Sequence, residues 1–109
     1  MYTANNPREL KKLLGEEKTP ICITDSKTKK VVEILESLKQ KGVKETAKDE
    51  IVKTIMAILK PTVNAVSEAT LLILVGMSLT AIISLYALYK GKNIKLKYNN
   101  DGSIELNTM

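Results

Sequence analysis

Residues 69–89 read ATLLILVGMSLTAIISLYALY, an uncharged run bounded by Glu68 and Lys90, and the fold depends on where its apolar surface goes. As one helix the run would be about 31 Å long, close to the roughly 30 Å hydrocarbon core of a bilayer. Its Leu, Ile and Val residues between Leu71 and Leu88 each favour insertion near the bilayer centre by about 0.3 to 0.6 kcal/mol. Gly76, Ser78, Thr80 and Ser84 weaken that tendency. At helical spacing the apolar side chains fall on all sides, so no polar face remains to meet water. The pattern predicts a membrane-spanning or membrane-inserting helix over 69–89, with burial between the subunits of a soluble oligomer as the alternative. Burial inside a single soluble monomer is the least favoured reading, because a straight 31 Å helix would cross the whole diameter of so small a domain.

The ends and one ridge of the run carry further signals. Tyr86 and Tyr89 lie just inside Lys90 and Lys92, where amphipathic rings and snorkelling ammonium groups would mark a membrane interface. Gly76, Thr80 and Ser84 are spaced four apart, a ridge of small residues that lets two helices approach closely. That ridge would serve self-association in lipid or in a soluble bundle.

On the N-terminal side, residues 61–68 can join the run into one long apolar helix over 61–90. Residues 46–60 read as an amphipathic helix capped at Thr46, with Ile51, Val52, Ile55, Met56, Ile58 and Leu59 as its stripe and Pro61 as its stop. Residues 1–45 form a basic α/β head. Within it, Asn5 or Asn6 caps a helix that starts at Pro7, buries Leu10, Leu13 and Leu14, and stops at Gly15. Pro20–Thr24, PICIT, is a strand with Ile21 and Ile23 on one face and the Cys22 thiol buried on the other. Asp25 or Ser26 caps a helix of about Lys27–Lys41 that ends at Gly42. Met1–Ala4 is a short extended segment.

On the C-terminal side, residues 91–109 alternate in polarity around Asn99-Asn100-Asp101-Gly102, a β-hairpin signal. Ile94, Leu96, Tyr98, Ile104 and Leu106 share one face. An isolated hairpin is marginal in water, so its partner is either the PICIT strand or another subunit. Pairing with PICIT inside one chain is incompatible with a straight spanning helix between them. The fold class is therefore α+β: a small helix-strand-helix head, a long apolar helix and a β-hairpin tail.

Composition narrows the chemistry. The 109-residue chain has 17 Lys and Arg, with Arg8 the only arginine, and a formal net charge of +5. Base readout leans on Arg and single-strand binding on aromatic platforms; with aromatic content at 4%, all of it Tyr, nucleic acid is a disfavoured partner. The chain has one cysteine and no histidine. No intramolecular disulfide can form, ordinary zinc sites are excluded, and Cys22 has no histidine to hold a thiolate. The glycines are dispersed and the acidic pairs Glu16-Glu17 and Asp49-Glu50 are adjacent rather than facing, so neither a phosphate loop nor a paired-carboxylate site is expected. No catalytic residue, cofactor, metal or small-molecule substrate is expected.

These readings converge on a small non-enzymatic membrane-associated protein that self-associates through its apolar helix. It would act as an anchor, a membrane-assembly subunit or a bilayer-disrupting effector, with itself and the lipid bilayer as partners. The start, MYTANNPREL, is not a secretory signal, so the head is expected on the cytosolic side of a membrane; Lys90, Lys92, Lys95 and Lys97 pull the other way, towards a cytosolic tail. The alternative is a soluble, cytoplasmic, homo-oligomeric interaction module.

Overall fold

The computed structural model describes residues 1–59 and 67–109. Its elements are β1 (Tyr2–Ala4), α1 (Pro7–Gly15), β2 (Ile21–Ile23), α2 (Ser26–Gln40), α3 (Lys48–Leu59), α4 (Glu68–Val75), α5 (Leu79–Lys90), β3 (Ile94–Tyr98) and β4 (Ile104–Thr108). Residues 60–66, which include the Pro61 break and the first part of the expected long helix, lie outside the described residues.

Local sequence explains the first helices. The Asn6 side chain accepts the Glu9 N–H at 2.8 Å and Pro7 takes the first helical position, where its missing N–H costs nothing. Leu10 and Leu14 then face the core. Asp25 caps α2 by accepting both the N–H and the hydroxyl of Thr28, at 2.9 and 2.7 Å; these bonds hold its carboxyl below the usual range. Val31, Ile34, Leu35 and Leu38 form the buried stripe of α2, joined by Val32. α3 begins at Lys48 rather than directly after Thr46, and turns Ile51, Thr54 and Ile55 inward.

The strands form one sheet in the order β1-β2-β4-β3. β1 runs parallel to β2, while β4 is antiparallel to both β2 and β3. Registers of Ile21 with Leu106 and Ile23 with Ile104 put the apolar residues of both ends of the chain on a single face. Ala4, Ile21, Ile23, Ile104 and Leu106 are buried there, with Ile94 and Leu96 packed at the margin. The opposite face carries Thr3, Cys22, Glu105, Lys97, Lys95 and Asn107, all half-buried or exposed. A sheet apolar on one side only needs helices on one side only, so the architecture is two-layered. The hairpin tail thus completes the sheet of the head.

The long apolar helix is the feature that the structure corrects. The run is cut after Val75: Gly76 adopts φ 73° and ψ 20° and donates its N–H to the Leu72 carbonyl, and Ser78 caps a new helix by accepting the Ala81 N–H. A left-handed residue is nearly free for glycine and costs any other L-residue roughly 1–2 kcal/mol. α4 and α5 have 8 and 12 residues, about 12 and 18 Å by their rise and well short of a bilayer core. Among the described residues no helix is long and apolar enough to cross a membrane. The physical reason lies in the intrachain pairing of β2 with β4: with both ends of the chain in one sheet, the run must fold back within the radius of gyration of 13.1 Å.

Candidate functional site

The structure separates the residues that the sequence grouped. Tyr86 and Tyr89, expected at a membrane interface, are fully buried in the core. The Tyr86 hydroxyl donates to the Val43 carbonyl at 2.6 Å, and the Tyr89 hydroxyl donates to the Glu36 carboxylate. Burial first, and then the hydrogen bond to Glu36, push the Tyr89 phenol well above its ordinary value. Lys90 pairs with Glu45 at 3.4 Å and Lys92 with Glu17 at 3.8 Å. The ammonium groups of Lys39 and Lys90 lie 5.5 and 5.8 Å from the ring centres of Tyr89 and Tyr86, within cation–π range. All four residues thus engage groups of their own chain.

Of the small-residue ridge, Gly76 belongs to the break, while Thr80 and Ser84 remain one turn apart on the exposed side of α5. Cys22 sits half-buried on the open face of the sheet, with Thr3 and Glu105 as its register neighbours. This replaces the buried thiol expected from the strand pattern. The Asn99–Gly102 segment is a hairpin turn, with the Ser103 N–H and hydroxyl donating to Asp101 at 2.9 and 2.6 Å. Among the described residues no group of three or more His, Cys, Asp or Glu side chains could hold a metal ion.

What the structure brings together instead is a surface around α4. Val75 and Leu74 face the core, whereas Leu72 is 56% and Ile73 73% exposed, with Ala69 exposed beside them. α5 packs against α1, and the junction between α4 and α5 borders α1 at Arg8 and Lys11. Arg8 and Lys11 from α1, with Leu72, Gly76 and Met77, line a surface cleft of about 290 Å³. Lys27, from the first turn of α2, comes to the same junction: its Cδ is 3.9 Å from where a Cβ on Gly76 would stand. Pairs of exposed branched side chains are unremarkable when scattered; here they are adjacent in sequence, and Leu72 shares its cleft with Arg8 and Lys11 while Lys27 approaches Gly76.

Two signals in the sequence mark this surface. Gly76 followed at two residues by Ser78 is a helix stop followed by a helix cap, and Arg8 with Lys11 is a basic i,i+3 pair on the side of α1 opposite Leu10 and Leu14. The approach of Arg8 and Lys11 to Leu72, and of Lys27 to Gly76, is tertiary and has no signature along the chain. Against family models, curated proteins and solved structures, the chain matches none.

Proposed function

We propose that this chain is a non-enzymatic, membrane-associated protein that sits on a bilayer surface by inserting the outward side of α4. The observation that carries the reading is the exposure of Leu72 and Ile73 side by side on α4. Full burial of a Leu or Ile side chain is worth about 1.5–3 kcal/mol. Two partly exposed ones therefore offer roughly 2–4 kcal/mol, enough for reversible contact and too little for a stable anchor. A protein using this surface would rely on a second contribution, from charge or from several copies acting together. With Tyr86 and Tyr89 buried, Leu72 and Ile73 are the large exposed hydrophobic side chains that the 69–89 run offers to lipid among the described residues.

A second reading, a soluble homo-oligomer with α4 covered by another copy, draws support from the β2–β4 pairing, which joins both ends of the chain without a bilayer between them. Flotation with lipid vesicles separates the two. Wild-type protein is expected to rise with the vesicles and Ile73→Glu to stay behind, with both monomeric by light scattering. Protein that never floats, and forms an oligomer that Ile73→Glu dissolves, would replace the membrane reading with the second one.

A further inference from the structure

We propose that the α4 surface selects anionic bilayers, with Arg8, Lys11 and Lys27 as its contacts to lipid headgroups; the inference rests on the membrane-surface reading and names the lipid class. Pro7, Leu10 and Leu14 anchor one side of α1 in the core, which leaves Arg8 exposed and Lys11 half-buried on the other. Lys27 arrives independently, on the first turn of a helix whose Val31, Ile34 and Leu35 are buried. Cations from two helices therefore border one apolar ridge, beside Leu72 and the Gly76 break.

Among the described side chains, Glu9 accepts the Asn5 N–H at 3.0 Å and the Asn6 amide at 3.3 Å, and Asp25, which accepts two bonds from Thr28, also feels the charge of Lys27. The ion pairs among the described residues are Glu16–Lys18, Lys30–Glu33, Glu50–Lys53, Glu45–Lys90 and Glu17–Lys92, and none of them uses Arg8, Lys11 or Lys27.

An apolar pair with cations along its Leu72–Gly76 border matches a surface that is hydrocarbon beneath and phosphate at the rim. A second copy of the chain fits less well, because pairing this surface with itself would bring two sets of like charges together. Nucleic acid would recruit the cations but offers nothing to Leu72 and Ile73.

Each Lys or Arg close to an anionic membrane strengthens binding by about fivefold, so the three together predict roughly a hundredfold preference over neutral lipid. The experiment is equilibrium flotation of the full chain with phosphatidylcholine vesicles and with phosphatidylcholine–phosphatidylserine vesicles, at low and high salt. The expected result is the anionic preference, reduced by salt, with Arg8→Gln/Lys11→Gln losing about twenty-fold on anionic vesicles and nothing on neutral ones. Unchanged thermal melting of that double variant checks that substitutions at exposed Arg8 and half-buried Lys11 leave the fold intact. Equal binding to both vesicle types, insensitive to the double substitution, overturns the selectivity but leaves the membrane reading standing. Binding to neither vesicle overturns both, as does an oligomer in solution that Ile73→Glu disperses.

Discussion

α4 and α5, of eight and twelve residues on either side of Gly76–Ser78, divide the uncharged run and its bounding Glu68 and Lys90 between them, and they live in different surroundings. α5 buries Ile82, Leu85, Tyr86 and Tyr89 and ends in tyrosine hydroxyls that reach Val43 and Glu36. α4 turns Val75 and Leu74 inward and leaves Leu72 and Ile73 in the open. Apolarity does not distinguish them. The difference lies in what each helix can join: α5 packs against α1 and α2 and carries polar tips that find partners, whereas α4 packs against α2 and α5 and leaves Leu72 and Ile73 exposed. An all-round apolar helix needs cover on all sides. The fold supplies that cover to α5 and only partly to α4.

The largest expected effect breaks the comparison directly. Leu85→Ala should destabilise the protein by about 2–5 kcal/mol, the usual cost of truncating a buried leucine. Leu72→Ala, on an exposed site in a helix, should stay within roughly 0.5 kcal/mol of wild type. Urea unfolding midpoints measure both. Equal losses at the two positions would mean that α4 is covered in solution and that the contrast drawn here is wrong.

Much of the fold can be read along the chain, and the parts that cannot are the long-range ones. Asn6 before Pro7 and Asp25 before the α2 stripe are caps whose partners lie three residues away, and Asp101-Gly102 closes its hairpin locally. The hairpin's own partner is not local. Ile21–Ile23 lies far upstream of β4, and only a choice between two sheets, one within the chain and one between chains, is visible from alternation. Gly76 and Ser78 show the opposite case: their stop and cap signals are local and plain, but the summed apolarity around them argues more loudly for one continuous helix. Tyr86 and Tyr89 resemble a membrane belt because the groups that satisfy them are 43 and 53 residues distant. As for the candidate surface, Arg8 with Lys11 is legible as a basic pair, while its position beside Leu72 depends on how α1 packs against the α4–α5 junction.

A mid-sized effect sharpens what holds α5 in place. Tyr89→Phe keeps the ring buried but deletes the hydrogen bond to the Glu36 carboxylate, which should cost about 1.5–3 kcal/mol near neutral pH. The pH dependence has a definite sign. An unfolded tyrosine ionises near pH 10, whereas burial and the Glu36 bond hold the folded Tyr89 phenol above that value. Its contribution is therefore fully present below about pH 10 and declines as the pH rises through the alkaline range. Urea unfolding across that range should show the gap between wild type and Tyr89→Phe narrowing with pH. A gap that stays constant would show that the hydroxyl is not held by the folded chain, and that α5 is retained by ring packing alone.

The smallest effect tests whether the two helices unfold together. Ser78 accepts the Ala81 N–H at 3.2 Å, and Ser67 accepts the Thr70 N–H at the same distance. Each cap satisfies one of the four donors that a helix start leaves unpaired, so replacing either serine with alanine removes about 1 kcal/mol from its own helix. In α5 that loss belongs to the core and should appear in full as a lower global stability. In α4, whose Leu72 and Ile73 stand largely outside the core, the helix can open without the rest of the molecule following. Ser67→Ala should therefore leave the urea midpoint close to wild type while amide exchange in Thr70–Val75 accelerates by about fivefold, the rate equivalent of 1 kcal/mol. Ser78→Ala should instead lower protection across α5 and the sheet together. If Ser67→Ala lowers the global midpoint as much as Ser78→Ala does, α4 is part of the cooperative core, and Leu72 and Ile73 are exposed on a rigid shelf rather than on a helix free to adjust to the surface it meets.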